Sequence, residues 1–275
     1  MREITDLKEI KSILLNILLY VDRICSKNGI HYSIAYGTLI GAVRHNGFIP
    51  WDDDIDIYMP RDDFSRFIDA VHKDKNRQFK LLSLETDSHY DSTIAKMIDT
   101  STIVIQETAG SQKKRNGEYK YNIGLYVDIF ILDYIPKNSE IQNHIMKHAA
   151  FLQKCWGFCF FAPNNKYNSI INVIRKICNN TNLALLFAKK VNQYAKNCNS
   201  RTELVANLLN GGINGLNDLC ELQSFNNPKT VCFEGYEFNV LSNYDIVLRR
   251  WYGDYMCLPP KEQRRSNHSY KAFLL

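Results

Sequence analysis

Pro50-Trp51-Asp52-Asp53-Asp54-Ile55-Asp56-Ile57 crowds four carboxylates into five residues between apolar neighbours. On an extended strand the side chains alternate, so Asp52, Asp54 and Asp56 share one face while Asp53, Ile55 and Ile57 share the other. Three like charges on one face repel one another unless a cation lies between them. Oxygen-only sets of this kind suit Mg²⁺ or Mn²⁺, which take one or two carboxylates and leave positions open for substrate phosphates. A solvated acidic turn is the plainer reading of such a run. Ile49, Ile55 and Ile57 argue instead for a strand seated in a core.

Working outward, Asp6 and Glu9 mark a capping-box helix start, and Leu7, Ile10, Leu14, Ile17, Leu18, Val21 and Ile24 follow helical spacing as far as Lys27-Asn28-Gly29. Ile30 to Tyr36 reads as a strand, Gly37-Thr38 as a break and Leu39 to Arg44 as a short helical turn. Asp62 to His72 is a helix, and strands are expected near Lys80 to Leu84, Ile94 to Ile98 and Thr102 to Gln106, ahead of a polar loop from Ala109 to Lys120. In the strand Gly124 to Ile131, Leu125, Val127 and Ile129 share one face and Tyr126, Asp128 and Phe130 the other. A carboxylate among aromatics needs a partner, and the ion held by Asp54 and Asp56 is the expected one. Pro136 to Gln223 carries helical stripes with Asn- and Lys-rich gaps. A hairpin follows at Phe233 to Phe238, then a helix capped by Ser242 and Asp245 that ends at Gly253.

A chain of 275 residues, 45% hydrophobic and 23% charged, is ordinary for a globular protein. Its net charge of +5 suits anionic substrates or an anionic membrane surface, and without a basic stripe or known motif no nucleic-acid partner is expected. Eight cysteines lack metal spacing and read as reduced thiols of a cytoplasmic protein. Glu3, Asp6 and Glu9 precede any apolar run, unlike a signal peptide. The apolar patch Ala149 to Ala162 is too short to span a bilayer. A buried helix is its plainer reading, while Phe151, Trp156, Phe158, Phe160 and Phe161 leave room for peripheral contact with the inner face of a membrane or a lipid-linked acceptor.

A Gly-Thr turn after a strand, a short helix and then alternating aspartates form a phosphate-handling arrangement. Asp54, Asp56 and Asp128 are therefore the expected catalytic carboxylates, with Asp52 beside them as a further metal ligand. Gly37 and Thr38 are expected at the phosphate turn, Arg44 and His45 near a diphosphate, and Lys96 at the transferring phosphoryl group or paired with Asp99. The basic tail Lys261, Arg264, Arg265 and His268 is a solvated terminus or a cover over phosphates.

The segment from Tyr36 to Ile57 resembles the signature of the LicD family of phosphotransferases. Gly124 to Phe130 with Leu132-Asp133, Phe233 to Phe238, Asn243-Tyr-Asp, and Arg249 to Met256 with Leu258-Pro-Pro260 are similar to it as well. The resemblance implies an α+β, nucleotidyltransferase-like mixed sheet flanked by helices. Residues 1–136 would be the catalytic core, 137–225 a helical elaboration, and 226–275 a hairpin-helix segment packing back on the core. It also implies transfer of a phospho-alcohol from a CDP-alcohol donor, typically phosphocholine from CDP-choline, to a glycan or lipid-linked glycan hydroxyl. Distant relatives use CDP-ribitol, so the alcohol stays open. Ile131 stands where many members have proline. Two other readings remain at this level: nucleotidyl transfer from an NTP, which would release pyrophosphate, and a silent glycan-binding scaffold, against which the complete aspartate cluster counts.

Overall fold

A computed structural model describes residues 1–106, 108–113, 118–164, 167–198, 202–265 and 270–275. The chain opens with β1 (Arg2–Ile4), the long α1 (Leu7–Asn28), β2 (Ser33–Ile34) and α2 (Tyr36–His45). It continues through β3 (Asp56–Pro60), α3 (Arg61–Lys73), β4 (Phe79–Leu82), β5 (Ala95–Asp99), β6 (Thr102–Gln106) and β7 (Tyr126–Tyr134). Three helices follow, α4 (Ser139–Phe160), α5 (Ser169–Asn179) and α6 (Leu183–Asn197), then β8 (Leu204–Ala206), β9 (Cys220–Glu221) and the single turn α7 (Gln223–Asn226). The hairpin β10 (Lys229–Phe233) and β11 (Tyr236–Val240), α8 (Tyr244–Tyr252) and β12 (Tyr270–Leu274) complete it.

The protein is α+β, built on a mixed sheet in the order β2-β3-β7-β5-β4, with β8 and β9 continuing from the far half of β7. β3 and β7 run parallel, and their register sets Asp56 beside Asp128 and Tyr58 beside Phe130. β5 runs antiparallel to β7 and sets Lys96 beside Asp128 on its other side. One face of these strands, with Ile57, Val127 and Ile129, joins Leu14, Ile17, Leu18 and Val21 of α1 and Phe64 and Phe67 of α3 in the main core. The opposite face is left for Asp56, Tyr58, Asp128 and Phe130, because alternation on a strand permits no other split.

Several local readings change. The strand expected over Ile30 to Tyr36 is only two residues of ladder, because Tyr36 takes a positive φ of 45° and starts α2 there, with Ala35 extended as the N-cap. Gly37 and Thr38 therefore lie in the first turn of a helix. The aspartate strand enters the ladder only at Asp56, while Asp52 to Ile55 approach it outside any strand, from a turn in which the Asp52 N–H donates to the Ile49 carbonyl. Asp6 does cap α1, but Glu9 turns to Arg2 rather than closing the box. Ser242 is not the cap of α8: Asn243 precedes it without a side-chain bond, and Asp245 accepts from Arg249 and the Tyr255 hydroxyl. The helical middle contributes β8 and β9 to the sheet, strands too short to leave a period-two pattern. The hairpin forms as expected, turning at Glu234-Gly235 with positive φ at both positions, the mirror-image turn that matches strand twist.

Beneath the sheet, Arg61 at the start of α3 grips Asp133 of β7 with two parallel bonds, Nε to Oδ1 at 2.7 Å and Nη2 to Oδ2 at 2.9 Å, both residues buried. Asp133→Asn removes the carboxylate that holds the guanidinium by two bonds and leaves it only Glu85, 3.6 Å from Nη1, in a dry site. A loss of about 3–5 kcal/mol in unfolding free energy is expected, measurable by urea denaturation. A loss below about 1 kcal/mol, the worth of a surface pair, would contradict this.

Candidate active site

The polar face of β3 and β7 forms the floor of a cleft of ≈ 910 Å³, whose walls come from α2, the chain from Ile49 to Asp56, the turn after β8, and the C-terminal segment after α8. Asp52, Asp54 and Asp56 all line it and Asp53 does not, the alternation expected of a strand. Asp128 lies directly beside Asp56 in register but, like Lys96, is not part of the cleft lining; Lys96 bonds it, and the Lys96 ammonium also sits 3.4 Å from the centre of the Tyr126 ring. Lys96 thus pairs with Asp128 and not with Asp99, which is held by Gln78 and Ser101. Burial first, then the charges of Asp54, Asp128 and Asp52, push the Asp56 carboxyl well above the usual carboxylate range, and Lys96 only partly offsets them. Among the described residues, no three Asp, Glu, His or Cys side chains converge into a ready-made metal cage. Hard oxygen donors crowded at repelling distance suit an ion that takes one or two carboxylates and completes its shell with substrate phosphate, the habit of Mg²⁺.

α2 positions the aspartates by close approach. A Cβ on Gly37 would stand 2.8 Å from Asp52 Oδ2, so glycine lets the helix start lie against that carboxylate. Thr38, expected to present its hydroxyl to phosphate, is instead buried. Its Oγ1 accepts the Asp56 backbone N–H at 2.8 Å and so fixes where β3 begins. Arg44 lines the cleft from the end of α2, donating to the Tyr255 and Cys257 carbonyls at 2.7 and 3.2 Å. His45 is not part of the cleft lining; it accepts from Arg44 Nε and meets Trp51 edge-on at 6.5 Å. Trp51 lines the cleft, and Arg264 lies over its ring at 5.8 Å. Of the basic tail, Arg265 reaches the cleft, and His268 lies outside the described residues.

The second rank of the floor is aromatic. Tyr36 sits edge-on to Tyr58 and Phe130, both at 4.9 Å, and to Trp251 at 5.8 Å. Behind them the buried Asp218 accepts from the hydroxyls of Tyr36 and Tyr58 at 2.6 Å and from the Trp251 indole N–H. Burial raises the Asp218 carboxyl above its usual range, and these donors draw it back part of the way. Asn207, donating to Tyr36, completes the knot. Tyr36, Phe130 and Trp251 were quoted within motifs without a role, and Asp218 and Asn207 were not singled out. The available signal was Asn207-Leu-Leu-Asn-Gly-Gly, a polar turn inside a segment otherwise read as helix.

The model of the family described as "LicD/FKTN/FKRP, nucleotidyltransferase domain" matches residues 29–160, which hold the whole aspartate and lysine constellation. The lipopolysaccharide cholinephosphotransferase LicD of Haemophilus influenzae is 31% identical over 280 residues, covering 100% of both chains. The chain belongs to the LicD family. Two shorter matches are to uncharacterized proteins of Rickettsia typhi, 43% identical over 56 residues (20% of this chain, 18% of that one), and Rickettsia prowazekii, 58% identical over 38 residues (14% of each). As a LicD family phosphotransferase it carries its acidic floor within the matched region. Trp251 and Asp218 lie beyond that region, on segments that the full-length relative also covers.

Two variants test this geometry. Gly37→Ala is expected to leave thermal stability nearly unchanged, since only the end of the Asp52 side chain must shift, while lowering turnover roughly tenfold or more because a carboxylate lining the cleft is displaced. Asp218→Ala removes the acceptor of three donors, one of them, Tyr58, fully buried. It should cost about 3 kcal/mol in a denaturant titration, with Asp218→Asn costing less.

Proposed function

We propose that this protein transfers phosphocholine from CDP-choline to a hydroxyl of a lipopolysaccharide-type glycan, with Mg²⁺ or Mn²⁺ bound at Asp54 and Asp56. The observation that carries the reading is the two-rank floor of the cleft. Asp56 lines it in one rank, with Asp128 and Lys96 beside it in register behind the lining, and Phe130 lines it in the next, with buried Tyr58 beside it, two residues along the same strands and so about 7 Å away. The short stem of choline separates its phosphate from its quaternary ammonium by a comparable reach. Aromatic faces attract such a cation, whereas a polyol such as ribitol has no charge for them to hold. The full-length likeness to a cholinephosphotransferase supports the same donor and acceptor.

The ion would neutralise diphosphate oxygens and stabilise the departing CMP. Asp54 and Asp56 supply its anionic ligands. Asp52 stands beside them against the start of α2, whose first-turn amides favour negative charge. The acceptor oxygen attacks the β-phosphorus, the bond from that phosphorus to the bridging oxygen breaks, and CMP leaves carrying that oxygen. Asp128, oriented by Lys96, takes the proton of the attacking hydroxyl. Arg44 and Arg265 line the same cleft and set positive charge near the nucleotide phosphates.

The decisive assay incubates the protein with CDP-choline, Mg²⁺ and lipopolysaccharide and follows CMP. Acceptor-dependent CMP release is expected, lost on chelation and restored by added Mg²⁺. Asp54→Asn and Asp56→Asn should each lower it by roughly 10²–10³-fold with the fold intact. Pyrophosphate release from an NTP in place of CMP would establish nucleotidyl transfer instead. For the alcohol, Phe130→Leu keeps apolar volume but removes the ring face, and kcat/KM for CDP-choline should fall roughly fivefold to tenfold. An unchanged value would refute the choline assignment while leaving phospho-alcohol transfer standing.

A further inference from the structure

Helix α5 is built inside out. Ile170, Val173, Ile174 and Ile177 recur at the i, i+3, i+4, i+7 spacing that ordinarily marks a core-facing stripe. Here they are 72%, 58%, 46% and 61% exposed. The helix is attached to the protein by its polar side instead. Buried Arg175 donates to the Phe161 and Ala162 carbonyls at 3.0 and 3.2 Å, and its guanidinium lies over the Tyr167 ring at 4.8 Å. Buried Asn179 donates to the Cys159 carbonyl at 2.6 Å, and Asn168 caps the first turn through the Ile171 N–H. An exposed apolar stripe on a well-anchored helix costs solubility and needs a cover.

The charge around it indicates which cover. Residues 139–198 carry eight Lys and Arg against a single Glu, a net +7 where the whole chain carries +5. Lys147, Lys154, Lys176, Lys189 and Lys190 on α4, α5 and α6 are exposed. Leu183 and Leu186 of α6, also exposed, add apolar surface on a helix that packs against α5. Among the described residues no helix is long and apolar enough to cross a membrane. The aromatic stretch of α4 is mostly turned inward: Trp156 stacks on buried Phe160 at 4.7 Å and donates to the Asp91 carbonyl, leaving Phe151 and Phe161 exposed.

We propose that α5 is a membrane-surface helix, lying in the interface of an anionic bilayer with Ile170, Val173, Ile174 and Ile177 in the acyl boundary and the surrounding lysines on the headgroups. An apolar face with flanking lysines and no spanning length is the pattern of interfacial binding, and each lysine near an anionic surface adds to the attraction. A second copy of the chain is the poorer occupant, because face-to-face pairing would bring two +7 segments together. Docking also has a route to the cleft. α4, which holds α5, grips the turn after β8 through Gln153, whose amide donates to the Leu208 carbonyl and accepts the Gly212 N–H, and Asn210 and Gly211 of that turn line the cleft.

The test is co-sedimentation of the full-length protein with vesicles, which needs no turnover. Binding to equal parts phosphatidylcholine and phosphatidylglycerol is expected, and little to phosphatidylcholine alone. The double variant Ile174→Asp/Ile177→Asp should bind the mixed vesicles roughly tenfold or more weakly, and Lys176→Glu/Lys189→Glu should weaken binding in a salt-dependent way. Thermal melts followed by circular dichroism should match wild type, since all four side chains are exposed. Wild-type protein that stays in the supernatant with the anionic vesicles would overturn the proposal, as would undiminished binding by the isoleucine variant. A wild-type dimer that this variant dissolves, seen by light scattering without vesicle binding, would assign the stripe to a second copy and equally overturn it.

Discussion

Two carboxylates set side by side on parallel strands are the constraint around which the rest of the molecule is arranged. Asp56 and Asp128 are in register on β3 and β7, on the face of the sheet that the apolar residues leave free. Neighbouring strands stand about 5 Å apart, and at that range two anions repel strongly in a poorly hydrated site. Lys96, in register from β5, compensates one side, and the raised Asp56 carboxyl marks what remains uncompensated. A site with stored like-charge repulsion that opens into a cleft is poised to receive positive charge.

The parts far away in sequence hold that arrangement in place. The β10–β11 turn clamps the chain before the aspartates: Glu234 accepts the Phe48 N–H through its side chain and donates its own N–H to the Asn46 carbonyl. Arg44 ties the end of α2 to the segment after α8. Asp218 gathers Tyr36, Tyr58 and Trp251 from three separate elements into one wall. The two ends of the chain are therefore not accessories to a finished site, since the cleft has walls only when they close on it.

Much of this was legible because it rests on short-range rules. Alternation in Asp52 to Ile57 and in Gly124 to Ile131 correctly separated the core face from the face that carries the aspartates. The stripe of α1 and the Glu-Gly turn of the hairpin read directly from residue type. The failures share a cause in tertiary context. Thr38 read as a phosphate hydroxyl because nothing local reveals that the Asp56 amide lies above it. Lys96 read as a phosphoryl ligand or a partner of Asp99, three residues along its strand, and register across the sheet gave it Asp128 as its ion-pair partner. β8 and β9 are too short to carry periodicity and exist because β7 extends past β5 and offers them an edge. Asp218 is invisible as a centre until Tyr36 and Tyr58, about 180 and 160 residues away in sequence, are folded onto it.

The same contrast between local pattern and context gives α5 its meaning. By periodicity alone its stripe belongs in a core, whereas the aromatic run of α4 reads as a buried helix that leaves room for membrane contact. The structure keeps the second and reverses the first: α4 inserts Trp156 and Phe160 among Ala109, Cys159 and Ala184, while Arg175 and Asn179 bind α5 by the face that would ordinarily meet water. With residues 139–198 at +7, the remainder of the chain carries a net −2, and that remainder contains the acidic cleft. A molecule divided in this way has a preferred orientation at an anionic surface before any contact forms, because the basic part is drawn in and the acidic part held off. A lipid-linked acceptor would then meet the cleft from the side of the turn after β8, where Asn207, Asn210 and Gly211 form the wall nearest α4.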